Sequence, residues 1–106
     1  MTRQEAIDIL EKKGIYRSGN ETFRYMLLGR LKSDCEAYIH RKGAPLWAKD
    51  PGEQTLIMRA LYISLDEKPV FLSMSKIDAY RDAMEDILRQ RQPKNTDPEL
   101  LIGSGF

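Results

Sequence analysis

ETFRYMLLGRLKSDCEAYIHR, residues 21–41, is the stretch whose reading decides the fold. Phe23, Leu27, Leu31 and Tyr38, flanked by Met26, Leu28, Cys35 and Ile39, recur in threes and fours. That is the period of a helix with one apolar face, whereas a strand would alternate in twos. The spacing predicts one long helix over about 21–41, stopped by Gly43 and Pro45, with Asn20 of the turn cluster Ser18-Gly19-Asn20 placed to cap its start. Gly29 lies inside it at a cost of about 1 kcal/mol relative to Ala, and close approach by a second helix is the expected reason.

A helix this long needs others to cover its apolar face, and the sequence on either side supplies them. Upstream, Thr2-x-x-Glu5 is a capping box and Gly14 a left-handed stop, so a first helix places Ala6, Ile7 and Leu10 inward with Ile9 beside them. Downstream, Asp50-Pro51-Gly52-Glu53 combines an Asp cap, a Pro at the first helical position and a Glu three residues after the cap. It opens a third helix over about 51–64 with Leu56, Ile57, Ala60 and Leu61 inward, joined by Ile63 and Leu65. Asp66-Glu67-Lys68-Pro69 is a turn, and Val70, Phe71 and Leu72 read as a short connector packed on the core. Ser73 caps a fourth helix with Ile77, Tyr80, Met84, Ile87, Leu88 and Arg91 in a three-four rhythm, ending at Gln92 before Pro93. The fold class is all-α: a compact four-helix domain with a long second helix over residues 1–92, and a flexible C-terminal tail over 93–106 with two prolines, two glycines and little periodicity.

At 106 residues the chain fits one domain. A formal charge of +1 creates no global field for a nucleic-acid backbone, so any such role needs a local patch. One cysteine, Cys35, excludes an internal disulfide and any multi-cysteine zinc site, and the single His40 argues against a His-rich metal site. The N-terminus lacks the apolar run of a secretory signal and no later run approaches the ~20 residues of a membrane span. No cofactor and no membrane are expected, and a cytoplasmic location is.

Cys35 and His40 are the one pair resembling a nucleophile and its base, but five residues along a helix set them about 140° apart. Asp34 with Glu36, and Asp66 with Glu67, are carboxylate pairs; Asp34, bordering the apolar stripe, is expected to partner Arg30 or the Trp47 loop rather than to catalyse. Residues 17–49 hold seven basic side chains (Arg17, Arg24, Arg30, Lys32, Arg41, Lys42, Lys49) against three acidic ones (Glu21, Asp34, Glu36), beside the single Trp47. An aromatic ring that stacks on a base, next to cations that hold phosphate, makes Arg24, Arg41, Lys42, Trp47 and Lys49 the candidate contacts to a partner or nucleic acid. The competing reading puts Trp47 in the core and the basic residues at a helix C-terminus, where they complement its dipole. The Met and Tyr side chains offer an adaptable protein-binding surface, although most fall on the core stripes, Tyr16 and Tyr62 least so. No Gly-rich phosphate loop, HExxH, GxSxG or calcium loop is present.

YMLLGRLKSDCEAY (25–38), Leu46-Trp47 followed by an acidic turn, and MRALYISLDEKPVFLS (58–73) with its Lys68-Pro69 together resemble the large polyvalent protein-associated domains, specifically the one numbered eleven. The likeness covers a little over half of the chain, and its connection between the second helix and Trp47 is shorter and less rich in Gly and Asn than the family's. The resemblance implies an accessory domain of phage and plasmid mobile elements without an established catalytic role, and so offers no catalytic residue to carry over.

The expected function is therefore a non-enzymatic interaction domain that binds a protein, in a narrower form an inhibitor of a host defence system such as CRISPR or restriction. Nucleic-acid binding through the basic face of residues 17–49 is the alternative, and an enzyme the least favoured. The rhythm of the fourth helix suits an intramolecular bundle or a dimer seam equally, which leaves the oligomeric state open.

Overall fold

The computed structural model describes residues 1–16, 20–41 and 44–91. Within them lie four helices: α1 (Arg3–Lys12), α2 (Glu21–His40), α3 (Pro51–Ser64) and α4 (Met74–Arg91). The expected stops at Gly43 and Pro93, the end at Gln92, the Ser18-Gly19 part of the turn cluster and the tail over 93–106 lie outside the described residues.

Each helix starts where its local chemistry places it. The Thr2 hydroxyl accepts from the Glu5 amide and the Glu5 carboxylate from the Thr2 amide, closing the capping box. Asn20, Asp50 and Ser73 accept from the Phe23, Glu53 and Lys76 amides respectively. At the end of α1, Gly14 takes φ +72°, and the Ile15 and Gly14 amides donate back to the Leu10 and Glu11 carbonyls. This is a Schellman stop, with Ile15 buried against the core that also holds Leu10.

Contacts at both ends of each helix fix their directions. Lys13 meets Glu53 (2.8 Å) and Arg3 meets Asp66 (2.6 Å), so α1 runs opposite to α3. Arg24 donates to Ser64 (3.1 Å) while the Cys35 sulfur lies 3.5 Å from that of Met58, so α2 does too. Arg59 faces Asp78 (3.5 Å) and Gly52 approaches Glu85, giving α4 the same sense. The three outer helices are thus parallel to one another and antiparallel to α3. After α1 the Tyr16 ring lies under the Arg24 guanidinium (4.6 Å).

α3 is the hub. It packs on all three others, and α1 touches no other helix. It consequently buries residues around most of its circumference, including Gln54, Thr55 and Ser64 beside Ile57, Met58, Ala60 and Leu61. The polar ones are satisfied internally: Thr55 donates to the Pro51 carbonyl (2.9 Å) and Ser64 to that of Leu61 (2.8 Å).

Several sequence-based assignments shift. On α2 the buried line is Arg24, Leu28, Leu31, Cys35 and Tyr38, with Phe23 and Leu27 at its edge and Met26 68% exposed. On α1, Ile9 packs on the core and Ile7 lies half-exposed, because Ala6, Leu10 and Ile9 share one side of the helix and Ile7 is turned about 100° from Ala6. Leu56 is half-exposed, while Gln54 and Met58 beside it meet α2 and Thr55 is buried. Val70 is fully exposed at a turn whose buried anchors are Pro69 and Leu72. Finally, no helix approaches Gly29: a Cβ there would meet nothing within 4 Å among the described residues.

Candidate functional site

Cys35 and His40 do not form a catalytic pair. Cys35 is fully buried, and loss of water pushes its thiol up to about 12, so no thiolate forms near neutrality. His40 stands exposed in the last turn of α2. Asp34 faces Arg30 at 3.9 Å, one of the two partners expected of it, while Asp66 pairs with Arg3. Glu36 is the carboxylate with the richer setting: it accepts from the Tyr80 hydroxyl (2.6 Å) and Lys32 (2.9 Å). The Tyr80 hydrogen bond first, then Lys32, hold it below the usual range, so Glu36 is an anchored anion rather than a proton donor. Among the described residues no group of three or more His, Cys, Asp or Glu is placed to hold a metal ion, and no helix is long and apolar enough to cross a membrane.

Arg24, expected among the partner contacts, is instead an internal tie, only 3% exposed. Its Nε donates to Ser64 Oγ, its guanidinium stacks on Tyr16, and Glu21 lies 3.7 Å away. Glu21 in turn accepts the Asp66 and Glu67 amides (2.9 and 3.1 Å), and Lys68 crosses back to the Ile63 and Leu65 carbonyls and the Tyr62 ring. The start of α2 is thereby knotted to the end of α3, and the motif Ser64 to Pro69 has a structural reason: it caps α3 and receives Glu21 and Arg24. A surface-contact role fails for Arg24 because its guanidinium is enclosed by these partners.

Trp47 sits on the surface, 43% exposed, at the far end of α2. Leu46 and Ala48 on either side pack against the core, and the Ala48 amide donates to the buried Gln54 side chain (2.9 Å), which itself donates to the Leu31 carbonyl (3.3 Å). Two inward neighbours and one pinned amide turn the indole outward. Arg41, which closes α2, and Lys49 are exposed beside it in sequence. The three acidic residues of 17–49 are matched to Arg24, Arg30 and Lys32, so the basic excess resides in Arg41, Lys49 and in Arg17 and Lys42, the last two outside the described residues.

A second surface forms where α2 and α4 begin. Tyr25 and Phe71 meet edge to face (5.6 Å, 90°), with Met26 and Val70 exposed around them. Sequence reasoning placed Val70 and Met26 inward; the available signal was Pro69, whose burial in the turn rotates the next residue out. Tyr16 and Tyr62, the tyrosines least committed to the core by spacing, are half-buried and hold Arg24 and Lys68.

A family model described as large polyvalent protein-associated domain 11 matches residues 21–84, which takes in α2, α3, the Glu21–Arg24 knot and most of α4. No curated protein and no solved structure matches the chain.

Proposed function

Since the chain belongs to the large polyvalent protein-associated domain 11 family, we propose that it is a non-enzymatic interaction domain of a bacterial mobile element, cytoplasmic, and that it binds a protein. The observation carrying this reading is the cluster in which exposed Tyr25, Met26 and fully exposed Val70 surround half-buried Phe71, an apolar patch that the fold leaves facing water. Such a cluster on a small domain fits the desolvated centre of a protein interface. Inhibition of a host defence system, CRISPR or restriction, is a narrower form of this reading and rests on family context and small size. Capture from host lysate with the wild-type chain and with Val70→Asp tests it. Val70 is fully exposed, so the variant folds normally and binds the partner tenfold or more weakly, on the order of a central interface residue. Equal recovery of every protein by both chains overturns the reading.

Trp47 supports a second reading, nucleic-acid binding, because an outward indole on a loop pinned at Ala48, with exposed Arg41 and Lys49 near it in sequence, offers a ring to stack on a base and cations to hold phosphate. Neutralising Arg41 and Lys42 then weakens a salt-dependent DNA or RNA shift and lowers the slope of log K on log salt by about 0.7–0.9 for each phosphate that is no longer neutralised. Absence of any shift at low salt removes this reading.

A further inference from the structure

Trp47 stands at the end of the bundle from which α4 emerges. Its neighbour Ala48 is bound to Gln54 at the start of α3, and Gly52 of the same turn approaches Glu85. α4 then continues past that point to Arg91, an overhang of about 9 Å. The loop surface here is apolar and cationic at once: the indole is 43% exposed, Arg41 and Lys49 are exposed, and Lys42 follows Arg41 in sequence. The first anion after them, Asp50, is engaged in capping α3 through the Glu53 amide.

Past Arg91 the sequence reads QPKNTDPELLI over residues 92–102. Its apolar run, Leu100 to Ile102, follows directly on Asp97 and Glu99, with Lys94 the one opposing charge. That is the complement of a Trp set among three cations. We propose that the segment from Asp97 to Ile102 docks on the Trp47 loop of its own chain, the apolar run against the indole and the two carboxylates toward Arg41, Lys42 and Lys49. Leu100 can lie up to about 30 Å from Arg91, so it reaches back over the overhang with chain to spare. The Tyr25 and Phe71 patch lies the length of α4 away, about 26 Å, and only a nearly straight connection would reach it. Tethering presents the segment at an effective concentration on the order of millimolar, so a weak contact suffices. The contact rests on neither functional reading. It does occupy the ring and the cations that nucleic-acid binding would use, which makes the segment a competitor of phosphate at that surface.

Trp47 is the only Trp, so its emission and its quenching by acrylamide read the contact in the full chain. Replacing Leu100, Leu101 and Ile102 together by Ser is expected to shift emission to the red and to increase quenching at every protein concentration, with the helical circular dichroism retained. Asp97→Lys with Glu99→Lys has the same effect, and high salt acts in the same direction. Adding Arg41→Glu, Lys42→Glu and Lys49→Glu to that pair restores the wild-type spectrum. Emission and quenching unchanged by the triple Ser variant overturn the proposal, as does a charge reversal that fails to restore protection. Protection that appears only as protein concentration rises puts the segment on another copy and overturns it too.

Discussion

Gly29 carries the full helix-propensity cost of a glycine, with nothing near its missing Cβ among the described residues to offset it. Gly29→Ala is therefore expected to stabilise the monomer by about 1 kcal/mol, read as a higher urea midpoint at low protein concentration with an unchanged m-value. A neutral or destabilising result would mean that the backbone at this position needs the glycine. Glu36 responds differently, through protonation. Its folded pKa is depressed chiefly by the Tyr80 hydrogen bond, so the associated stability is present above the unfolded carboxyl range, about 4.3, and is lost as pH falls through the lower folded value. Tyr80→Phe is expected to raise the Glu36 pKa in a carboxyl-carbon NMR titration. It should cost about 1 kcal/mol at neutral pH and a smaller amount in acid, where the wild type has already lost its advantage.

At the scale of elements, Gln54 does for the Trp47 loop what a cap does for a helix end. Fully buried, it binds the loop through the Ala48 amide and α2 through the Leu31 carbonyl. Gln54→Ala leaves both groups unpaired and is expected to cost about 2 kcal/mol. With a single Trp in the chain, fluorescence reports the loop directly: emission shifts to the red and anisotropy falls. An unchanged spectrum would show the loop held by Leu46 and Ala48 alone. The starts of the elements and the stop at Gly14 were legible in the sequence because capping is local chemistry, read from residues a few positions apart: Thr2 with Glu5, Asp50 with Glu53, Ser73 with Lys76. Which side of α2 faces inward was not, because the stripe begins with Arg24, a residue whose burial depends on Ser64, Tyr16 and Glu21 meeting it together, the first of them from a distant part of the chain. In the same way periodicity put Leu56 in the core and left out Gln54 and Thr55, polar residues that only a hub helix can bury. Of the candidate contacts, Trp47, Arg41 and Lys49 are at the surface while Arg24 is not, a distinction that composition cannot make.

In the whole molecule, α3 binds three helices that make unequal claims on it. α2 and α4 also contact each other, as Tyr80 does with Glu36, and Tyr25 meets Phe71 just ahead of α4, whereas α1 rests on no helix but α3. α1 commits only Ala6 and Leu10 fully to the core, aided by Ile9 and the following Ile15. Its two ion pairs to the α3 region do little to compensate. The side chains of the Arg3–Asp66 pair are more than half exposed, and surface pairs contribute about 0–1 kcal/mol each. The region matching the family, residues 21–84, excludes α1 altogether and contains the contacts that join α2, α3 and α4. Native-state hydrogen exchange is expected to resolve this hierarchy: α1 amides exchange through a partial opening of lower free energy and weaker denaturant dependence, while α3 amides exchange only through global unfolding. The opening is bounded by Gly14, since the turn that stops α1 is also where the chain leaves α3's start to return toward Glu21. If α1 and α3 amides give the same free energy without denaturant, the four helices form one cooperative unit and α1 is as integral as the rest. A lower value for α1 makes it an added brace on a three-helix unit, whose α2–α4 side carries the Tyr25, Met26 and Val70 surface unchanged.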